Sequence, residues 1–150
     1  MAQFWRFSRL WPWLACDPVK ITQKLIDEII AHALEERPNE CCGMVSGSRG
    51  VATEVFRARN ALASPFSFDM EPSDQIGIYT AIEDRGEEIL AIYHSHTKSP
   101  AEPSQSDRNN ARSWPDPVWV IVSLADPGEP VLRGWDMRDG KVGEVELEIE

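Results

Sequence analysis

Across residues 19–34 apolar side chains recur at Ile21, Leu25, Ile29 and Ala33, with Ile26, Ile30 and Leu34 widening the stripe. That is the period of an amphipathic helix, and Pro38 stops it. Residues 43–47 form a short apolar run between glycines, and residues 51–59 alternate Val51, Thr53 and Val55 with Ala52, Glu54 and Phe56. Both read as strands, and a tight connection through Ser48 and Gly50 makes them a hairpin. Pro72 and Ser73 open a second helix with Ile76, Tyr79, Thr80 and Ile82 in period, and Gly86 is placed to end it. A strand over 89–96 follows, then a short helix over 104–112. The run VWVIVSL at 118–124 is apolar on both faces, as a fully buried strand requires. Asp139-Gly140 is a hairpin signal between strands over 131–137 and 142–149. The order α-β-β-α-β-α-β-β-β predicts an α/β fold with a mixed β-sheet flanked by helices, without internal repeats.

A chain of 150 residues fits one domain that buries roughly two-thirds of its unfolded surface. Fifteen Lys plus Arg against twenty-five Asp plus Glu give a net charge of −10, which repels a phosphate backbone and argues against nucleic acid as a partner. Three cysteines, Cys16 and the adjacent Cys41 and Cys42, lack the spacing of a disulfide framework or a zinc ribbon and suit a reducing cytoplasm. No apolar run reaches the roughly 18 to 20 residues that span a bilayer. The first residues differ in character: Arg6 and Arg9 precede a short apolar stretch broken by Pro12, and Phe4, Phe7, Trp11 and Leu14 fall at helical spacing. Residues 1–18 are expected to be an extension outside the domain, which occupies 19–150.

The chemistry concentrates in HSHTKSPAEPSQSD. On a strand His94 and His96 emerge on one face about 6 to 7 Å apart, a separation suited to two nitrogens on one metal ion. Asp107 is the acid placed to close the set from the next element. Two neutral imidazoles and one carboxylate leave a fourth tetrahedral position for water, as in catalytic rather than structural zinc sites. Such a site needs a nearby carboxylate that does not ligate, and Glu40 in PNECCG is the candidate, aimed across the sheet from the start of a strand. Ser104 is positioned to donate to a developing oxyanion. Each residue also has an ordinary reading. S-x-x-D is a helix capping box, two histidines on a strand are commonly surface residues, and Glu40 after a proline is commonly a surface acid. His32, without partners of this kind, reads as a helix-surface residue. The joint pattern H-x-H-x7-S-x2-D arises by chance in a chain of this length roughly once in several thousand.

These residues resemble the JAMM, or MPN+, metallopeptidase family, whose signature is a glutamate upstream of H-x-H-x7-S-x2-D. The resemblance runs from about Val19 to the end of the chain. The flanking words PNECCGMVSG, NALASPFSFDMEPSDQI and IYHSHTKSPAEPSQSD are similar to the bacterial branch of CysO-cysteine peptidases. It implies a fold related to cytidine deaminases, and one zinc ion per chain held by His94, His96 and Asp107. Glu40 would be the general acid/base and Ser104 the oxyanion stabiliser. The implied substrate is a small ubiquitin-like sulfur-carrier protein of CysO or ThiS type, cleaved after its C-terminal glycine with release of cysteine. The alternatives are a JAMM isopeptidase acting on another ubiquitin-like conjugate, and a non-catalytic MPN-type scaffold, whose usual mark is loss of the ligands. A base deaminase needs H-x-E with P-C-x-x-C, which Cys41-Cys42 cannot supply. Thr97 stands where many family members carry proline, and the long insertions of eukaryotic relatives are absent.

Overall fold

A computed structural model describes residues 17–150; the extension expected over 1–18, including its helically spaced aromatics, lies almost wholly outside the described residues. The chain begins with β1 (Val19–Ile21) and α1 (Gln23–Glu36), followed by β2 (Cys42–Ser48), β3 (Val51–Ala58) and α2 (Pro72–Asp84). Next come β4 (Glu88–His96), α3 (Gln105–Ala111), β5 (Val118–Ser123), β6 (Val131–Asp136), a 3-10 turn (Arg138–Gly140), β7 (Gly143–Val145) and β8 (Leu147–Ile149). Eight strands form one mixed sheet in the order β7-β6-β5-β4-β2-β3-β1-β8. The centre pairs β2 antiparallel to β3 and β4, and β4 parallel to β5. This is the mixed sheet between helices that the residue pattern predicts.

The two ends of the order meet. β7 pairs with β6 and β8 pairs with β1, yet only Glu146 separates β7 from β8 in the chain. One run of chain therefore serves both edges, and the sheet curls about the face on which α1 lies. On that face Leu25, Ile26, Ile29 and Ala33 of α1 pack against Val45, Ala91, Tyr93, Val120, Val122 and Val145. Full burial of each such large aliphatic side chain stabilises by roughly 1.5–3 kcal/mol. The opposite face carries a second core of Met44, Phe68, Met70, Ile78, Ile82, Ile92, Trp119, Ile121 and Trp135, under α2 and α3. β5 is buried at every position, as its two apolar faces require.

Local chemistry explains the boundaries. The β2–β3 turn is two residues, Arg49 and Gly50, both at positive φ, the conformation a tight hairpin demands. Pro72 sits in the first turn of α2, and Gly86 at φ 68 follows its end. The helix expected from residue 19 starts later, because Val19–Ile21 is a strand and the Thr22 hydroxyl accepts from the Leu25 amide as an N-cap. The strand expected over 142–149 is divided at Glu146 between two partners. Residues 66–70 form no strand; Met70 makes only an isolated bridge with Asn60. His32 is also not on the surface: it is 3% exposed, and its Nδ1 is hydrogen-bonded to the Tyr93 hydroxyl at 2.8 Å.

Candidate metal centre

Alternation along β4 puts His94 on the face of the second core, between Ile92 and His96. Both imidazoles are buried, at 0% and 5% exposure. Their Nε2 atoms lie 3.2 Å apart, closer than the strand repeat, because both rings lean toward the first turn of α3. There Asp107 presents Oδ1 at 3.0 Å from His94 Nε2 and Oδ2 at 3.0 Å from His96 Nε2. Donors bonded to zinc at 2.0–2.1 Å in a tetrahedral arrangement lie about 3.3 Å from one another. The three groups are the cluster among the described residues that can hold a metal ion, and their spacing fits one.

Each donor is oriented by its own surroundings. His96 Nδ1 donates to the Pro100 carbonyl at 2.8 Å, which leaves the Nε2 lone pair facing the cluster. His94 Nδ1 is buried without a hydrogen-bond partner. Its ring is held by aromatic contacts instead: Phe68 stacks on it at 4.6 Å with an interplanar angle of 26°, and Trp119 meets it edge-on at 6.3 Å. Burial depresses the His94 pKa, despite the opposing Asp107 carboxylate, so the ring is neutral and able to ligate. Burial alone would raise the Asp107 pKa, but the two imidazoles against the carboxylate and the Ser104 amide outweigh it and hold the carboxyl well below the ordinary range.

The ordinary reading of S-x-x-D is correct and compatible with the other. Ser104 Oγ accepts from the Asp107 amide at 3.1 Å, while Asp107 Oδ2 accepts from the Ser104 amide at 2.9 Å, a complete capping box on α3. The cap fixes the Asp107 carboxylate in front of the histidines. Ser104 itself is exposed, and its hydroxyl hydrogen is not used by the cap.

Glu40 lies on β2's approach to the sheet, where Cys42 pairs with His94. Carried two residues outward, that register sets Glu40 opposite His96 and on the same face. Glu40 is only 4% exposed, contrary to the surface-acid reading. Burial is the largest influence on it and, with Asp107, overcomes the pull of His96 to raise its pKa to about 7. Adjacent Cys41 faces the α1 side and Cys42 the site side; both are buried thiols, Cys41 pushed up to about 12 and Cys42 also raised well above the ordinary thiol range by burial, far from a reactive thiolate.

The flanking word NALASPFSFDM holds residues that the motif does not point to. The Asn60 side chain donates to the Glu40 and Ser67 carbonyls at 3.0 Å and accepts from the Leu62 and Asp69 amides at 3.1 Å. Thr97 Oγ1 donates to the Pro65 carbonyl at 3.1 Å, a bond that proline at this position cannot make. Asparagine in a loop, where its side chain mimics backbone, is the one sequence signal that marks this arrangement.

The family model for prokaryotic homologs of the JAB domain matches residues 22–138. The chain is 34% identical to the CysO-cysteine peptidase of Mycobacterium tuberculosis over 131 residues, covering 86% of this chain and 89% of that protein. It is 35% identical over 104 residues to the desampylase of Haloferax volcanii, covering 65% and 74%. A solution structure from Desulfitobacterium hafniense superposes with a TM-score of 0.80 at 32% identity, covering 88% of this chain and 92% of that one. A structure described as a JAMM metalloprotease-like zinc site in the proteasome and signalosome shares the fold, with a TM-score of 0.56 at 20% identity, covering 89% and 98%. The chain belongs to the prokaryotic JAB-domain family. It is a hydrolase of the JAMM type.

Proposed function

We propose that this chain is a zinc peptidase that cleaves after the C-terminal glycine of a small ubiquitin-like sulfur-carrier protein of CysO or ThiS type and releases cysteine. The observation that carries the reading is the convergence of His94 Nε2, His96 Nε2 and Asp107 at spacings of 3.0–3.2 Å in a chain 34% identical to a CysO-cysteine peptidase. In this reading the three residues hold one zinc ion per chain. Residues 19–150 form the catalytic domain and 1–18 an extension to it. Buried free thiols at Cys41 and Cys42 are compatible with action in the cytoplasm. Among the described residues no helix is long and apolar enough to cross a membrane.

A bound zinc ion supplies Lewis acidity, polarising the scissile carbonyl and making water more acidic. Glu40, poised near neutrality by burial, takes the proton of the attacking water and delivers it to the departing amine. Ser104 directs its free O–H at the developing oxyanion. Asp107 and Ser104 keep their relative positions through the capping box. His94 and His96 present Nε2 toward Asp107 and keep the cleft's donors convergent.

The test replaces Glu40 with Gln and follows hydrolysis of a carrier-cysteine conjugate by mass. Loss of a positioned acid/base is expected to slow turnover at least about 100-fold. A Glu40→Gln enzyme running at the parent rate removes Glu40 from the role. The similarity to a desampylase favours a second reading, an isopeptidase acting on another ubiquitin-like conjugate. Presenting the same carrier with one C-terminal cysteine or joined to a lysine side chain separates the two by which substrate turns over.

A further inference from the structure

Metal-binding histidines normally donate their second ring nitrogen to a carbonyl or carboxylate, and that bond fixes ring and tautomer. His96 follows the rule through Pro100, whereas His94 Nδ1 is buried with no partner. The His94 ring is instead covered by Phe68, stacked at 4.6 Å, with Trp119 against its edge. Phe68 is itself 7% exposed and lies 6.3 Å from Trp119, so it cannot swing away from His94 without opening the second core.

Phe68 belongs to the loop 60–70, whose ends are closed by the Asn60–Met70 bridge and by the Ala61 amide on the Asp69 carbonyl at 2.8 Å. Three of the four bonds of the Asn60 side chain fill its interior. The loop also grips the backbone of Glu40 on both sides, since the Glu40 amide donates to the Ser64 carbonyl at 2.9 Å and its carbonyl accepts from Asn60. Thr97, the residue after His96, ties down its tip at Pro65. One eleven-residue loop (60–70) thus contacts His94, Glu40 and the segment leaving His96.

We propose that this loop braces the site, and that Phe68 is a positioning residue that fixes the His94 ring by stacking where a hydrogen bond would ordinarily do so. The inference rests on the reading of His94 as a metal ligand. Its consequence is that zinc affinity depends on an aromatic ring outside the His-His-Asp set. Thr97 contributes by holding the loop down.

The experiment measures zinc affinity by competition with a chromophoric chelator on the full chain, alongside the thermal midpoint of the metal-free protein. Phe68→Leu keeps apolar volume but removes the stack, and is expected to bind zinc at least about tenfold more weakly with its metal-free fold intact. Phe68→Tyr, which keeps a ring, and Phe66→Leu, at a position 79% exposed in the same loop, are expected to bind as the parent does. Thr97→Val cuts the tie to Pro65 without touching the core and is expected to weaken zinc several-fold; it decides the matter should Phe68→Leu not fold. Parent-level affinity in folded Phe68→Leu overturns the proposal. A parent that binds no zinc overturns the ligand reading, and this inference with it.

Discussion

Asp107 Oδ2 accepts a hydrogen bond from the Ser104 amide at 2.9 Å and lies 3.0 Å from His96 Nε2. One oxygen atom thus joins a helix cap to the candidate metal centre, and the placement of the carboxylate is decided by how α3 begins.

The two roles of Ser104 are separable. Ser104→Ala removes both cap and hydroxyl, whereas Ser104→Gly removes the hydroxyl and costs only a few tenths of a kcal/mol as a cap, against about 1 kcal/mol for Ala. Both variants are expected to lose on the order of 100-fold in turnover through the missing oxyanion donor, while only Ser104→Ala shows a clear fall in thermal midpoint. Activity that follows stability across the pair, with Ser104→Gly near the parent, contradicts the oxyanion role.

His32 gives the fold a pH dependence independent of catalysis. Burial first, and then the Arg57 guanidinium, hold its pKa down to about 4, with Glu35 opposing, whereas the unfolded chain binds that proton near 6.5. Between these values the unfolded state carries more protons, so stability is full above about 6.5 and falls as pH drops toward 4. The loss amounts to at most roughly 3 kcal/mol. His32→Gln keeps a hydrogen-bonding group for the Tyr93 hydroxyl but does not titrate. Denaturant midpoints at pH 7.5 and 4.5 are expected to differ less in His32→Gln than in the parent; equal differences would remove His32 as the cause.

Gly43 marks a close approach at the sheet's centre. A Cβ there would overlap the Phe56 carbonyl oxygen and the Tyr93 hydroxyl, and the first is backbone that cannot step aside. Gly43→Ala is expected to cost roughly 2–3 kcal/mol, the upper range of core overpacking. In a chain of 150 residues that is a thermal midpoint lower by roughly 5–10 °C. A parent-like midpoint would show that β2 and β3 separate easily.

The convergence of the candidate site's residues was largely legible because they obey short-range rules. The pair His94 and His96 needs only the two-residue period of a strand, and Ser104 with Asp107 only the first turn of a helix. Helix α2 and the β2–β3 hairpin were legible for the same reason, since Pro72, Gly86 and Gly50 act locally. What escaped depends on distant partners. The β1 residues Val19 and Ile21 share their spacing with the apolar stripe of α1, and only pairing with β3 and β8 makes them a strand. The break at Glu146 arises because the two edges of the sheet meet there, which no local pattern encodes. His32 is buried by Tyr93, sixty-one positions away. Asn60 and Phe68 touch Glu40 and His94 across the fold, and nothing in their own neighbourhood announces those partners.

Calorimetric titration of zinc into metal-free protein decides whether two imidazoles and one carboxylate hold a single zinc ion. The parent is expected to bind one zinc per chain and to gain thermal stability as free zinc rises, by mass action on the folded state, with Asp107→Ala and His94→Ala losing both responses. A parent that takes up no zinc, or variants that bind it as tightly as the parent, would remove the zinc site from His94, His96 and Asp107.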